Sequence, residues 1–159
     1  MFSIFNRKRN KAHFPFDKLG TDMHSHLVPG VDDGSPDPET SVKLIRGMME
    51  LGYSKFITTP HVMEDLYRNN PETIYTGFRL LEKELEKEKI SVFIKPAAEY
   101  LLDGNMDEIL EKKGLLLTLT DNLVLVEISF VSPPFNLKDV IFELQINGYQ
   151  PILAHPERY

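Results

Sequence analysis

Residues 21–35 read Thr21-Asp22-Met23-His24-Ser25-His26-Leu27-Val28-Pro29-Gly30-Val31-Asp32-Asp33-Gly34-Ser35, and this stretch decides the fold class. A short strand is expected around Leu19 to His24. The segment after it is rich in Gly, Asp and Pro, residues that interrupt regular structure for different steric reasons. Asp37-Pro38 then suits a helix N-cap followed by the first helical position. A strand, a breaking loop and a capped helix make one half of a βαβ unit.

Outward from this stretch the same alternation repeats. The helix extends from about Pro38 to Leu51, with Val42, Ile45 and Met49 on one apolar stripe, and Gly52 sits where a left-handed residue ends it. Tyr53 to Thr58 reads as a second strand, and a loop carrying His61 leads to a helix from about Pro71 to Glu88. Ile74, Phe78, Leu81 and Leu85 form the buried stripe of that helix, and Glu82, Lys83, Glu86 and Lys87 its solvated face. Ser91 to Lys95 is a third strand leading into Ala97-Ala98-Glu99. A short helix over Met106 to Lys112, a buried strand over Leu123 to Ile128, an amphipathic helix over Leu137 to Asn147 and a last strand over Gln150 to Ala154 complete the chain. The expected fold is therefore α/β, with about five parallel strands joined by crossover helices.

Composition narrows the function. The 159 residues suffice for one domain, and 26% charged with 42% hydrophobic residues is ordinary for a globular protein. The net charge of −6 gives a nucleic-acid partner no electrostatic support. There is no cysteine, which removes disulfides, thiolate metal sites and any cysteinyl-phosphate mechanism. A basic run from Arg7 to Lys11 marks residues 1–18 as a solvated N-terminal arm. No apolar stretch has the length of a signal peptide or a membrane span, and the expected location is the cytoplasm.

The ends of the expected strands carry the chemistry. The first ends in His24-Ser25-His26, the second leads to His61, the third to Glu99, the fourth to Glu127 and the fifth to His155. Residues i and i+2 of an extended segment point to one side, so His24 and His26 can grip one ion together. Neutral imidazole suits manganese, iron and zinc alike. Carboxylates such as Glu99 and Glu127 can bridge cations, and Asp32 or Asp33 can add an oxygen from the loop. Taken singly, each of these residues is more often a satisfied core or surface side chain. Glu127 stands apart, because it follows Leu-Val-Leu-Val in a buried strand and a buried carboxylate needs a partner. Five strand ends bearing ligands on one rim point to a metal cluster, which suits in-line displacement at phosphorus without a protein nucleophile. Arg158, three residues past His155, is placed to fork onto a phosphate oxygen, although by itself it reads more often as a surface arginine paired to an acid.

The stretches TDMHSHLVPGVDDGS, ITTPHV, AAEY, LVEIS and ILAHPERY, spread from residue 21 to the end, together resemble the polymerase-and-histidinol-phosphatase (PHP) superfamily. Within it they are similar to the bacterial manganese-dependent protein-tyrosine phosphatases of capsule and exopolysaccharide operons. The resemblance implies a distorted seven-stranded (βα) barrel holding up to three metal ions, most readily Mn2+, with Fe or Zn as alternatives. It implies ligation by His24, His26, His61, Glu99, Glu127 and His155, with Asp33 as a further ligand, and contact of Arg158 with substrate phosphate. The implied substrate is phosphotyrosine on a bacterial tyrosine kinase. Two departures stand out. The loop after Pro60 usually carries a second His and here reads His61-Val62. The family's last ligands come from an Asp-x-His strand that does not occur before Tyr159, so residues 19–159 are expected to be the N-terminal part of the phosphatase domain, a partial barrel. The alternatives are another PHP phosphoesterase, such as a histidinol-phosphate phosphatase, and a metal-binding docking fragment without catalysis.

Overall fold

The computed structural model describes residues 15–159. Most of the arm expected over residues 1–18 lies outside the described residues. Phe16–Lys18 form a single 3-10 turn, and the Phe16 ring lies 5.3 Å from that of Tyr53. Strand β1 is only Thr21–Asp22, shorter than the run expected. Gly20, at φ 67°, turns the chain into it, and beyond Asp22 the backbone bends away so that the carbonyl of Ser25 accepts from the N–H of Thr59.

Helix α1 spans Pro38–Leu51. The Asp37 carboxylate accepts from the N–H of Thr40, Pro38 takes the first position, and Gly52 closes the helix at φ 113°, where only a residue without Cβ is unstrained. Ser41, Val42 and Ile45 are buried and Met48 packs against the core. Met49, expected on that stripe, flanks the buried face in the last turn and is 38% exposed.

Strand β2, Lys55–Thr58, and strand β3, His61–Val62, come from one run of sequence, and so do β4, Phe93–Pro96, and β5, Glu99–Leu101. Between the halves lie Thr59-Pro60 and Ala97-Ala98. Pro60 has no N–H to donate to a ladder, and the fully buried Ala97 and Ala98 let the backbones come close. Contact nevertheless continues through the kink, because Ala97 N–H donates to Thr58 O and Glu99 N–H to Pro60 O. Five expected strands therefore appear as seven segments among the described residues, with β6 over Leu123–Glu127 and β7 over Gln150–Leu153. They form two sheets, β1-β2-β4 and β3-β5-β6-β7, parallel throughout.

Helices α2, Pro71–Lys87, α3, Gly104–Glu111, and α4, Leu137–Ile146, make the remaining crossovers. Asn70 and Thr73 form a reciprocal capping box at the start of α2, which satisfies two otherwise orphaned N–H groups. Its buried stripe is Ile74, Phe78, Leu81 and Leu85, as the periodicity predicts, together with Gly77. A Cβ at Gly77 would lie 2.8 Å from Val28 and 3.0 Å from Val31, so the missing side chain lets α2 approach the loop after His26. The main core lies between strands and helices, and Ile57, Ala97, Leu119, Leu125 and Ala154 form a second, smaller cluster. Among the described residues no helix is long and apolar enough to cross a membrane.

Candidate metal centre

Four of the chain's five histidines and two buried glutamates meet at one rim of the sheets. His24 and His26 follow β1, held by β2. Thr58 Oγ1 accepts from Leu27 N–H and donates to Ser25 O. Glu127 ends β6, and His155 stands two residues past β7. The sequence places His61 in a loop and Glu99 beyond a strand end. In the structure both are strand residues, paired directly across β3 and β5. The kinks at Pro60 and Ala97-Ala98 are the reason, since they let each strand resume in a second sheet and carry its side chain into the centre.

Glu99 is the hub and is fully buried. One carboxylate oxygen lies 2.8 Å from His155 Nε2 and 3.6 Å from His24 Nε2, and the other 3.1 Å from His61 Nδ1 and 3.4 Å from His26 Nε2. Glu127, 6% exposed, faces His155 Nε2 at 3.4 Å and His61 Nδ1 at 3.7 Å. Asp33 is exposed, with an oxygen 3.9 Å from His61 Nε2. Three overlapping donor groups result: His24, His26 and Glu99; His26, Asp33 and His61; and His61, Glu99 and Glu127, each with its donor atoms within 4.8 Å of one another.

His155 adopts φ 29° and ψ 60°, a left-handed conformation disfavoured for a residue with a side chain, and its ring thereby faces Glu99. Arg158 Nη1 donates to Glu127 at 3.1 Å while the side chain stays half exposed. It therefore pairs with an acid, and that acid belongs to the cluster.

Four atoms test whether these residues fit cations. His61 Nδ1, His155 Nδ1, Glu99 Oε2 and Glu127 Oε2 are buried without a hydrogen-bond partner. Such groups cost about 1–3 kcal/mol each when left unmade. Three of them, His61 Nδ1, Glu99 Oε2 and Glu127 Oε2, lie in one donor group, a set of imidazole and carboxylate that divalent ions of the manganese, iron or zinc type satisfy.

The electrostatics are those of a tightly coupled cluster. Burial works against a charge on His26, but the carboxylates of Asp32, hydrogen-bonded to Nδ1, and of Glu99, 3.4 Å from Nε2, outweigh it and lift the imidazole from 6.5 to about 9. His24 moves down, mainly through burial and against the pull of Glu99. Burial opposes ionisation of Glu99, yet the surrounding imidazoles, His26 foremost, hold it below the usual carboxylate range.

Side chains that the motif reading did not assign complete the surroundings. Thr59 Oγ1 meets His24 Nδ1 at 2.6 Å. Asn69 Nδ2 donates to the carbonyls of Val31 and His61, both at 2.8 Å, tying the loop to β3. Tyr67 stacks on His61 with ring centroids 5.7 Å apart. None of these carries a sequence signal, because hydroxyls, amides and aromatic rings are common and only their final position distinguishes them. Asp32, read with Asp33 as a possible oxygen donor, instead accepts from His26 Nδ1 at 2.7 Å and from the N–H groups of His61 and Gly34.

The family described as "Capsular polysaccharide synthesis, CpsB/CapC" matches residues 20–159. Tyrosine-protein phosphatase YwqE of Bacillus subtilis is 33% identical over 137 residues, 86% of this chain and 54% of that protein. Tyrosine-protein phosphatase CpsB of Streptococcus pneumoniae is 29% identical over 139 residues, 87% and 57% of the two chains. A solved chain from the crystal structures of YwqE from Bacillus subtilis and CpsB from Streptococcus pneumoniae, described as unique metal-dependent tyrosine phosphatases, superposes with a TM-score of 0.76. It shares 34% identity and covers 87% of this chain and 56% of its own. The chain spans about half the length of the curated relatives it matches.

Proposed function

The chain belongs to the CpsB/CapC family of capsular polysaccharide synthesis proteins, and on that footing we propose that residues 19–159 are the N-terminal part of a metal-dependent phosphatase. Its substrate is phosphotyrosine on a protein, a bacterial tyrosine kinase that controls capsule or exopolysaccharide production. The reaction belongs in the cytoplasm, where a kinase draws on ATP and its phosphotyrosine forms. The observation that carries this reading is the fully buried Glu99 ringed by His24, His26, His61 and His155, with one of its own oxygens and one of Glu127 left without a hydrogen-bond partner.

His24, His26, Asp33, His61, Glu99, Glu127 and His155 would hold the cluster, with Mn2+ as the preferred ion over Fe or Zn. Ions bound there would supply positive charge against the phosphoryl oxygens and lower the pKa of a water to near neutrality. The chain's own residues bind and orient. Arg158, half exposed and steadied by Glu127, offers a guanidinium to a phosphate oxygen by charge-assisted hydrogen bonds. None of these 159 residues is cysteine, so no cysteine nucleophile comes from this part of the protein. Buried Glu99, held below the usual carboxylate range by the imidazoles around it, keeps negative charge at the centre and so favours cation entry.

The test is turnover of a phosphotyrosyl peptide and of histidinol phosphate after EDTA treatment and addition of Mn2+, on this chain and on the full-length gene product. Metal-dependent release of phosphate from the peptide by the full-length protein is expected. A preference for histidinol phosphate would move the protein to another branch of the superfamily. Metal binding with turnover of neither substrate would overturn the catalytic reading.

A further inference from the structure

Each histidine of the His24/His26 pair has its inner ring nitrogen engaged, and the two partners differ in kind. His24 Nδ1 meets a neutral hydroxyl, Thr59 Oγ1, at 2.6 Å. His26 Nδ1 meets a carboxylate, Asp32 Oδ2, at 2.7 Å. The Asp32 side chain is fully buried, and its two oxygens are already occupied. Oδ2 also accepts from the backbone N–H of His61 at 2.9 Å, and Oδ1 accepts from the N–H of Gly34 at 3.0 Å. A carboxylate accepting two backbone N–H groups has no proton to give, so the His26 ring nitrogen is the donor. That places the proton on Nδ1 and turns Nε2 toward Glu99, 3.4 Å away.

The same carboxylate therefore reaches three elements at once: the ring of His26 after β1, the backbone of His61 at the start of β3, and the turn of the loop just past Asp33. Two of those contacts, His26 and His61, belong to one donor group, and the third, Gly34, is the chain neighbour of its remaining member, Asp33. We propose that Asp32 is a positioning residue that assembles this donor group as a metal position without ligating the ion itself, while its neighbour Asp33 supplies the oxygen. An acidic partner on the far nitrogen of a ligating imidazole fixes its tautomer and raises its basicity, and loss of such a partner typically costs about 10–100-fold in metal affinity. The proximity of Gly34 reinforces the argument. A Cβ there would lie 2.3 Å from His26 Cβ and 2.4 Å from its carbonyl oxygen, so the loop is pressed against His26 and Asp32 reaches it at short range.

The inference rests on the site being a metal centre, and the test separates the two. Mn2+ binding to the metal-free chain is measured by calorimetry for the unaltered protein, D32A, D32N and D33N, and the His26 ring is read by 15N NMR on the Zn2+-loaded protein. The unaltered protein should show Nε2 coordinated and Nδ1 protonated. D32A should lose about 10–100-fold in affinity for one equivalent of metal and show a mixed His26 tautomer, while His24 keeps its own. D32N retains one acceptor oxygen and should recover part of the affinity and the His26 tautomer, whereas D33N should lose affinity with the His26 signal unchanged. Equal metal affinity and an unaltered His26 signal in both Asp32 variants would overturn the proposal. Should D32A not fold, the D32N comparison decides, since an unchanged affinity with an unchanged His26 signal overturns it equally. Failure of the unaltered protein to take up any divalent metal would sink the metal-centre reading itself.

Discussion

Replacing Glu99 by glutamine removes one negative charge from the centre while keeping the shape of the side chain. In the folded protein its oxygens lie between 2.8 and 3.6 Å from nitrogen atoms of four imidazoles, and a carboxylate there can meet two ions at once. Loss of a residue one step removed from a metal costs about 10–100-fold in affinity, so loss of the central carboxylate should cost at least about 100-fold. The effect is readable as stability. At a free Mn2+ concentration 100 times the dissociation constant, binding should add about 2.7 kcal/mol to the unaltered protein. For a chain of this size that is a rise in Tm of about 5–10 °C. At the same Mn2+ concentration the E99Q protein would sit near half saturation and gain only about 0.4 kcal/mol, a rise of about 1 °C. Thermal unfolding with EDTA and with Mn2+, followed by circular dichroism, measures both numbers, and the EDTA curves control for folding. An equal Mn2+-induced rise in the two proteins would refute the placement of Glu99 at the heart of a metal cluster.

Other consequences are as specific. R158A should lower kcat/KM of the full-length protein for a phosphotyrosyl peptide by about 10–100-fold, the worth of a hydrogen bond between charged groups, with Mn2+ affinity changed far less; equal loss of both would point to a ligand-supporting role through Glu127 instead. The His26 imidazole is raised to about 9 from 6.5, so its proton stabilises the metal-free fold fully below about 6.5, and that contribution is lost as pH rises toward 9. Urea midpoints of the EDTA-treated protein should therefore fall across that window, and the decline should flatten with saturating Mn2+, because ligation needs the neutral ring. G77A should lower Tm, because its Cβ would sit 2.8 Å from Val28 and overpacking costs about 1–3 kcal/mol. G47A on the exposed face of α1, with nothing within 4 Å of the added Cβ, should raise stability by about 0.5–1 kcal/mol. A reversal of those two signs would count against the packing of α2 on the loop after His26.

The helices were legible because their signals are local. Asp37-Pro38 marks one start, Gly52 marks an end, and the buried stripe of α2 repeats at helical spacing, so neighbouring residues alone carry the information. The strand runs were legible for the same reason, but their division was not. Nothing in Thr59-Pro60 or Ala97-Ala98 states that each run leaves one sheet and enters another. That depends on which backbone lies alongside, as when Ala97 N–H finds Thr58 O and Glu99 N–H finds Pro60 O.

The site divides along the same line. By residue type and strand position the sequence alone marked His24, His26, His61, Glu99, Glu127 and His155 as one set, since ligand-bearing side chains at the ends of parallel strands face a common rim. Residue type and position could not tell Asp32 from Asp33, two identical side chains on adjacent positions of one loop, and only the family resemblance singled out Asp33. Tertiary structure separates them: one is drawn inside by His26 and two backbone N–H groups, and the other is left facing outward beside His61. Short-range periodicity and turn chemistry are written in neighbouring residues, whereas the partner of a buried polar atom is chosen by segments tens of positions away, and only packing brings those together.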